Sequence, residues 1–228
     1  AEIPPAAAVL NPNQPACKYP NKHLCGAGVA FKLAQGLLES SGMAAGKQQR
    51  LVESILKIAA LATVADIVPL VGENRVIAKL GLAGMAEVKN PGLRALLDIS
   101  GIKPGTTPTA RQVGFQIGPR INAAGRMASA SEVLELFSTQ DETTARRIAA
   151  TLDELNRERQ ETEQQMREEI FKSIEENAAW EKRLGLVLFE PNWHLGVAGV
   201  VAGRIAERHR KPVFVLTEVE KDGEVVVK

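Results

Sequence analysis

The chain has 228 residues, with 28 lysines and arginines against 27 aspartates and glutamates, so its net charge is only +1. That length allows one large domain or two modest ones, each with a core. The balance of charge excludes a uniformly basic nucleic-acid-binding protein, so any such surface must be a local patch.

Membrane and secreted classes are also disfavoured. No stretch is long and apolar enough to span a membrane, and the opening residues lack the basic start of a signal peptide. The two cysteines, Cys17 and Cys25, are too few for a disulfide framework and lack metal-binding spacing. We therefore expect reduced thiols in a cytoplasmic protein. Sparse aromatic residues argue against a broad surface for stacking bases.

The first predicted element is a buried strand over residues 6–10, a short apolar run between prolines. After a loop rich in proline and asparagine, Gly26 and Gly28 open a predicted helix that ends near Ser40. Its start either binds an anion through free amides or serves close packing. The apolar residues that recur on one face of this helix are Val29, Leu33 and Leu37.

A second helix is predicted over residues 48–62, and it leads into a segment where Asp66 stands alone among apolar residues. A buried carboxylate needs a cation, a metal or several donors. Asp66 is therefore either a metal ligand or a cap for the next predicted helix, which begins near Glu73. His23, earlier in the chain, is a metal ligand, a contact to the backbone of the substrate or a structural histidine.

Further helices are predicted over residues 73–87, 92–100 and 131–137. Between the last two, Thr109 and Gln112 form a capping-box pattern that opens a short helix.

This short helix leads into a stretch with two arginines, Arg120 and Arg126. A glycine and a proline directly precede Arg120, so we expect the helix to break there and the stretch to form a loop. Guanidinium groups match phosphate oxygens, and Asn122 can both donate and accept. The stretch is therefore either an anion clamp, most naturally for phosphate, or a loop whose arginines pair with the chain's own carboxylates.

A second capping-box pattern begins at Thr139, and no glycine or proline follows until Gly185. The sequence thus predicts one long helix that ends near Glu176. Its ends are amphipathic, but residues 156–165 contain no aliphatic side chain. A helix that is polar all round is typical of a solvated strut between domains, whereas a coiled coil needs a sustained apolar seam. We therefore place the domain boundary on this helix.

The last part of the chain predicts a strand over residues 184–189, a helix over residues 197–209 and a strand over residues 213–216. Such a unit is parallel and right-handed. Its ligand is expected where the first strand ends and the helix begins, next to His194 and Gly196.

Two further features belong to this part of the chain. Arg204 lies further along the same predicted helix, where Gly203 removes a side chain that would block approach to it. Asp222 and Gly223 predict a hairpin turn between two short valine-rich strands.

Residues 118–126, Gly-Pro-Arg-Ile-Asn-Ala-Ala-Gly-Arg, closely resemble a motif of the RecJ family of single-strand-specific exonucleases, in the DHH phosphoesterase superfamily. Other stretches of the chain resemble RecJ regions in the same order, and together they cover nearly the whole chain. These stretches are residues 11–13, 23–33, 63–70 and 194–216.

The resemblance implies an α/β fold in three parts. Residues 1–138 would be the C-terminal, mostly helical part of a DHH-type catalytic domain, and residues 139–178 the connecting helix. Residues 179–228 would begin a second α/β domain of the DHHA1 type, which binds substrate. The family's Asp-His-His motif and its glycine- and histidine-rich stretch are absent, so we expect an internal piece of a longer enzyme.

The resemblance also implies a function: 5′-to-3′ hydrolysis of single-stranded DNA in repair and recombination, with Mn²⁺ or Mg²⁺ as cofactor. Asp66 would be one carboxylate of the metal cluster, too few for this piece to be active alone. A single-strand-binding protein or a helicase would be its protein partner. The residues that would contact DNA phosphates are Arg120, Asn122, Arg126, His194, Gly196 and Arg204.

Two other functions remain open at this point. One is a phosphodiesterase of the same superfamily that acts on short oligonucleotides or cyclic dinucleotides. The other is a non-catalytic relative that only binds DNA.

Overall fold

The computed structural model of the chain describes residues 3–176, 179–221 and 223–228. It consists of two compact units. Unit 1 contains residues 1–119 and 134–149, and unit 2 contains residues 120–133 and 150–228. Among the helices described, none is both long and apolar enough to cross a membrane.

Most of unit 1 is helical. Its helices are α1 (Gly26–Ser40), α2 (Ala45–Ala65), α3 (Gly72–Gly84), α4 (Pro91–Ile99) and the short α5 (Ala110–Gln112), which runs into a π-helical turn over Val113–Ile117. Helices α6 (Gly118–Met127) and α7 (Ser131–Ser138) follow, and their residues between 120 and 133 belong to unit 2. The predicted helices of this region are thus confirmed, with ends that differ by a few residues.

Side-chain caps fix where several of these helices begin. The Cys25 thiol accepts the backbone N–H of Gly28 at the start of α1. Asn90 caps α4 by accepting the N–H of Leu93. Thr109 and Gln112 form the predicted capping box, in which each side chain accepts the other's backbone N–H. Each cap satisfies a donor that the first helical turn leaves unpaired.

Two predictions at the start of the chain were wrong. Residues 6–10 form no strand in the described structure, and most of them are exposed. A strand requires a hydrogen-bonded partner, and an apolar run alone does not supply one. On α1, Leu33 and Leu37 are exposed, while Phe31 and Gly28 are buried. The helix therefore packs through a different face from the one we expected.

The predicted break before Arg120 was also wrong, because the backbone remains helical from residue 110 to residue 127. Gly118 donates its N–H to the carbonyl of Val113, five residues back, which is a π-helical bond. Pro119 then lies directly after this π turn, as the second residue of α6. The wider π turn accommodates the ring that would clash in a regular α-helix.

The long helix is α8 (Glu142–Glu175), and its predicted extent is confirmed. Its capping residue is Asp141, two residues later than the Thr139 we expected. A carboxylate oxygen of Asp141 accepts the N–H of Thr144 at 2.6 Å, while Thr139 accepts the N–H of Asp141. The bond from Thr144 lowers the pKa of Asp141.

The middle of α8 was predicted to be solvated all round, and this is wrong for one face. Asn156 and Glu163 are buried there. The same face carries Leu152 before them and Met166 after them, also buried. Polar side chains thus continue an apolar stripe. Arg159, on the same helix, pairs with both of them, and Arg204 of unit 2 pairs with Glu163 as well.

Unit 2 contains the predicted strand–helix–strand unit. Strand β1 (Leu186–Phe189) pairs in parallel with β2 (Val213–Leu216), and α10 (Leu195–His209) lies between them in the chain. A short helix, α9 (Ala179–Lys182), precedes β1. The core of this unit combines residues of α8, β1 and α10: Met166, Ile170, Leu186, Leu188, Val197, Ala198, Val201 and Ile205.

The chain ends in an antiparallel pair, β3 (Glu218–Lys221) and β4 (Glu224–Val227). This agrees with the predicted hairpin strands. Asp222, which we placed in the turn, lies outside the described residues.

Candidate functional site

Asp66 follows directly after α2, and its side chain is exposed, so the predicted burial was wrong. It does not cap α3 either, because that helix begins at Gly72 with Val71 as its N-cap residue. Among the described residues, no side-chain hydrogen bond or ion pair occupies the Asp66 carboxylate. The group is therefore open to a ligand.

The residue after Asp66 has an unusual backbone conformation. Ile67 has a φ of 54° and is 89% exposed. A β-branched residue in the left-handed region is strained, because its side chain crowds the backbone. Such strain persists only where the surrounding structure holds the residue in place.

Asn74, on α3, ties the segment after Asp66 to the segment that contains His23. The buried amide of Asn74 donates to the carbonyl of His23 at 2.7 Å and to that of Pro69 at 3.1 Å. Its oxygen accepts from the amide of Asn21 at 3.2 Å. The structure therefore connects the loops of the two predicted metal ligands, through a residue that the sequence analysis missed. The signal was a polar residue on the apolar face of a predicted helix.

Tyr19, Lys32 and Glu73 form a charged cluster next to Asn74. The Tyr19 hydroxyl donates to both oxygens of Glu73 at 2.8 and 3.0 Å, and the Lys32 ammonium lies 3.0 Å from the same carboxylate. Burial alone would raise the pKa of Glu73, but the hydrogen bonds from Tyr19 and Lys32 outweigh it and lower the pKa. Burial and the bond to Glu73 raise the pKa of Tyr19.

These residues do not assemble a metal site by themselves. Within the described ranges, no group of three histidine, cysteine, aspartate or glutamate side chains is placed to hold a metal ion. Divalent cations such as Mn²⁺ and Mg²⁺ need several oxygen or imidazole ligands at once. Asp66 and His23 fall short of that number.

The other predicted site residues lie in unit 2. Arg120 pairs with an internal acid, as one of the two interpretations of the arginine stretch had it. Its Nε and Nη2 lie 2.8 and 2.7 Å from one carboxylate oxygen of Asp153, and the Arg120 side chain is 18% exposed. One edge of this guanidinium is thus held by α8.

Arg126, on the last turn of α6, is exposed and meets the start of α10. Its Nη1 donates to the carbonyl of Gly196 at 3.1 Å, and the N–H of Gly196 donates to Nδ1 of His194 at 3.1 Å. A Cβ atom on Gly196 would collide with the carbonyl of Arg126, so this approach requires glycine. Three residues predicted from two separate stretches of sequence are therefore brought together.

This arrangement is suited to an anion. The N-terminus of α10 carries a partial positive charge, and the exposed guanidinium of Arg126 adds a full one. Asn122, on the same helix as Arg126, is also exposed. Positive groups at an exposed helix N-terminus attract phosphate more readily than any neutral ligand.

Arg204, the last predicted contact, pairs with the buried Glu163 of α8. Its Nε lies 2.5 Å from Oε1 of Glu163, and Nη1 of Arg159 lies 2.8 Å from Oε2. The sequence analysis missed Glu163, Arg159 and Asp153. For Arg159 and Glu163, the signal was the helical spacing that places them in line with the buried Leu152 and Met166.

Comparison with known proteins gives a consistent picture. No family model matches the chain. The single-stranded-DNA-specific exonuclease RecJ of Bacillus subtilis is 37% identical over 222 residues, which is 97% of this chain and 27% of that protein. RecJ of Dickeya dadantii is 40% identical over 220 residues, or 93% of this chain and 38% of that protein.

Solved structures agree with the sequences. The crystal structure of RecJ in complex with Mn²⁺ from Thermus thermophilus matches with a TM-score of 0.74 and 36% identity, over 89% of this chain and 28% of that one. A second structure, of exonuclease RecJ bound to manganese, matches with a TM-score of 0.76 and 35% identity. The resemblance to RecJ and the mostly helical α/β fold predicted from the motifs are thereby confirmed. The chain spans between about a quarter and a half of the length of these relatives, with 27% of the Bacillus subtilis protein and 49% of the second structure covered.

Proposed function

We propose that this chain, similar to RecJ over nearly its whole length, is the part of a single-stranded-DNA-specific exonuclease that holds the DNA strand. The observation that carries the proposal is the meeting of Arg126, His194 and Gly196 in unit 2. These residues come from two separate RecJ-like motifs. Together they form an exposed, positively charged site at the N-terminus of α10.

This site would bind the phosphate backbone of the strand. Arg126 would contact one phosphate, Asn122 and the N-terminus of α10 would add polar contacts, and Arg204 would contact a further phosphate. Such contacts position a strand without reading its bases. Arg120 would act mainly through its pairing with Asp153, which fixes the start of α6.

Hydrolysis of the phosphodiester would depend on Mn²⁺ or Mg²⁺, the ions present in the Thermus thermophilus structures. Such ions activate water and stabilise the leaving oxygen. Asp66 would be one ligand, with His23 on a neighbouring loop. The remaining ligands would come from residues outside this segment, since the described residues do not complete a metal site.

The wider setting follows from the same resemblance. The enzyme would remove nucleotides in the 5′-to-3′ direction during DNA repair and recombination in the cytoplasm. A single-strand-binding protein or a helicase would supply its substrate. Residues 1–138 and 179–228 would then belong to the DHH-type and DHHA1-type domains, on either side of the long helix.

The test is the salt dependence of DNA binding by the 228-residue chain. We expect Arg126→Ala to weaken binding of a fluorescent oligothymidylate and to reduce the slope of log K against log salt by about 0.7, the value for one phosphate contact with a single strand. Because binding is measured, the assay does not depend on a complete metal site.

Arg111→Ala is the matched control. Arg111 is an exposed arginine on α5, and no hydrogen bond or ion pair involves its side chain among the described residues. This change removes one positive charge without touching the proposed contact. Equal slopes for Arg126→Ala and Arg111→Ala, or no binding by the unsubstituted chain, would refute the proposal.

A further inference from the structure

Glu163 is a buried carboxylate in the part of α8 that has no aliphatic residue. Its side chain is 5% exposed, and it lies between two guanidinium groups. Arg159, on the same helix, lies 2.8 Å from one of its oxygens, and Arg204, on α10, lies 2.5 Å from the other. A buried acid with a cation on each side is fixed in position.

The charges of this cluster do not cancel. Arginine stays protonated at any working pH, so two positive charges share one negative charge. A surplus of one positive charge remains within a partly buried region of unit 2. An additional anion would be attracted to this surplus of positive charge.

The surplus reaches the surface at Arg204. Arg159 is 14% exposed, and its Nε and Nη2 already donate to the amide oxygen of Asn156. Arg204 is 54% exposed, and in the described structure only its Nε is engaged, by Glu163. The two terminal nitrogens of Arg204 therefore form the free edge of the cluster, with the fork geometry that suits a phosphate.

We propose that Glu163 is a positioning residue for DNA binding. It holds Arg204 by Nε, so that the terminal nitrogens of Arg204 present a fixed edge to a phosphate of the strand. Arg159 and Asn156 in turn hold Glu163. This inference rests on the proposed function, since it requires that Arg204 contacts DNA.

The physical reason for an acid at this position is orientation. An exposed arginine samples many rotamers, and the entropy lost on binding a phosphate reduces its affinity. A carboxylate that fixes Nε removes much of this freedom before DNA arrives. For stability alone, an apolar residue at position 163 would often serve as well as a buried ion pair.

The test is a double-mutant cycle on the 228-residue chain, with binding of a fluorescent oligothymidylate as the readout. We expect Arg204→Ala to weaken binding and Glu163→Gln to weaken it about threefold to tenfold, in the lower part of the range found for coupled residues in contact. Because Glu163 acts through Arg204, adding Glu163→Gln to Arg204→Ala should weaken binding no further.

Glu161→Gln is the matched control, because Glu161 is exposed on the same helix and the substitution changes the net charge by the same amount. Without a positioning role, both glutamine variants would bind slightly more tightly, since each removes a negative charge. Glu163→Asp provides a second test, because it keeps the charge but draws the carboxylate back by one methylene. We expect this variant to bind more weakly as well, with its thermal unfolding measured alongside.

The possible outcomes separate the two proposals. Additive effects in the cycle, or binding by Glu163→Gln and Glu163→Asp as tight as that of the parent, would overturn the role of Glu163 and leave the proposed function intact. No effect of Arg204→Ala would overturn both the role of Glu163 and the DNA contact of Arg204. The salt slope of Arg126→Ala then decides the proposed function independently.

Discussion

The two units hold their candidate site residues by different means. In unit 1, the buried Asn74 fixes the loops of Asp66 and His23 through neutral hydrogen bonds. In unit 2, carboxylates on α8 hold the arginines: Asp153 pairs with Arg120, and Glu163 pairs with Arg159 and Arg204. The first arrangement depends on neutral hydrogen bonds at a buried position, and the second on attraction between opposite charges.

This difference has consequences for stability and for binding. A buried amide that loses its partners leaves unpaired acceptors, which costs free energy at any salt concentration. An ion pair with a half-exposed arginine, as Arg204 is, contributes about 0–1 kcal/mol and is screened by salt. We therefore expect substitutions in unit 1 to act mainly on folding, and those of the exposed arginines of unit 2, Arg126 and Arg204, to act mainly on DNA binding.

The largest effect is predicted for Gly92→Ala in unit 1. A Cβ atom at this position would collide with the backbone carbonyl of Leu136 on α7, which no side-chain rotation can relieve. We expect a loss of about 3 kcal/mol in the free energy of unfolding, at the upper end of overpacking effects. Urea denaturation at low and high salt measures it.

Gly36→Ala is the control for Gly92→Ala, since it makes the same change on α1 where a Cβ atom meets nothing within 4 Å. There we expect no loss, or a gain of up to about 1 kcal/mol from reduced chain entropy in the unfolded state. If both variants were equally stable, unit 1 would not depend on close backbone packing as we describe.

Features that depend on local chemistry could be predicted from the sequence. The capping box of Thr109 and Gln112 was found because both partners lie within one turn. The strand–helix–strand unit at the end of the chain was found because its apolar pattern changes period at each boundary. The grouping of Arg126 with Gly196 could be inferred only from resemblance, since their contact joins distant parts of the chain.

Features that depend on distant partners could not be predicted. From the sequence, Glu163 is expected to be a solvated charge, because its partner Arg204 lies on another helix. From the sequence, Pro119 is expected to break the helix, because the π turn before it cannot be predicted from local residues. Residues 6–10 have the composition of a buried strand, but composition does not reveal whether a partner strand is present.

An intermediate effect is predicted for Asn74→Ala. The change removes three hydrogen bonds from a fully buried position and leaves the carbonyls of His23 and Pro69 without this donor. We expect a loss of about 2–3 kcal/mol in the free energy of unfolding, equal at low and high salt. Asn13→Ala, at an exposed position, should change stability by less than about 0.5 kcal/mol.

A loss of unfolding free energy that became smaller with added salt would contradict this account of Asn74. It would mean that ion pairs, not neutral hydrogen bonds, fix the loops of unit 1. A loss no larger than that of Asn13→Ala would contradict it as well.

The smallest effect is predicted for Tyr19→Phe, and it tests the one charged cluster that we describe in unit 1. Burial opposes ionisation of Glu73, but hydrogen bonds from Tyr19 and Lys32 lower its pKa below the ordinary 4.5. A carboxyl with a lowered pKa stabilises the fold above its ordinary pKa, and this contribution is lost as the pH falls through the lowered value. Without the phenol hydroxyl, the pKa of Glu73 should rise, so acid unfolding should begin at higher pH.

We expect about 1 kcal/mol less stability at neutral pH, the typical worth of one hydrogen bond, and no difference once the pH is low enough to protonate Glu73 in both proteins. Circular dichroism during acid titration measures both effects, and a midpoint identical to that of the parent would contradict the role of Tyr19 in lowering the pKa of Glu73.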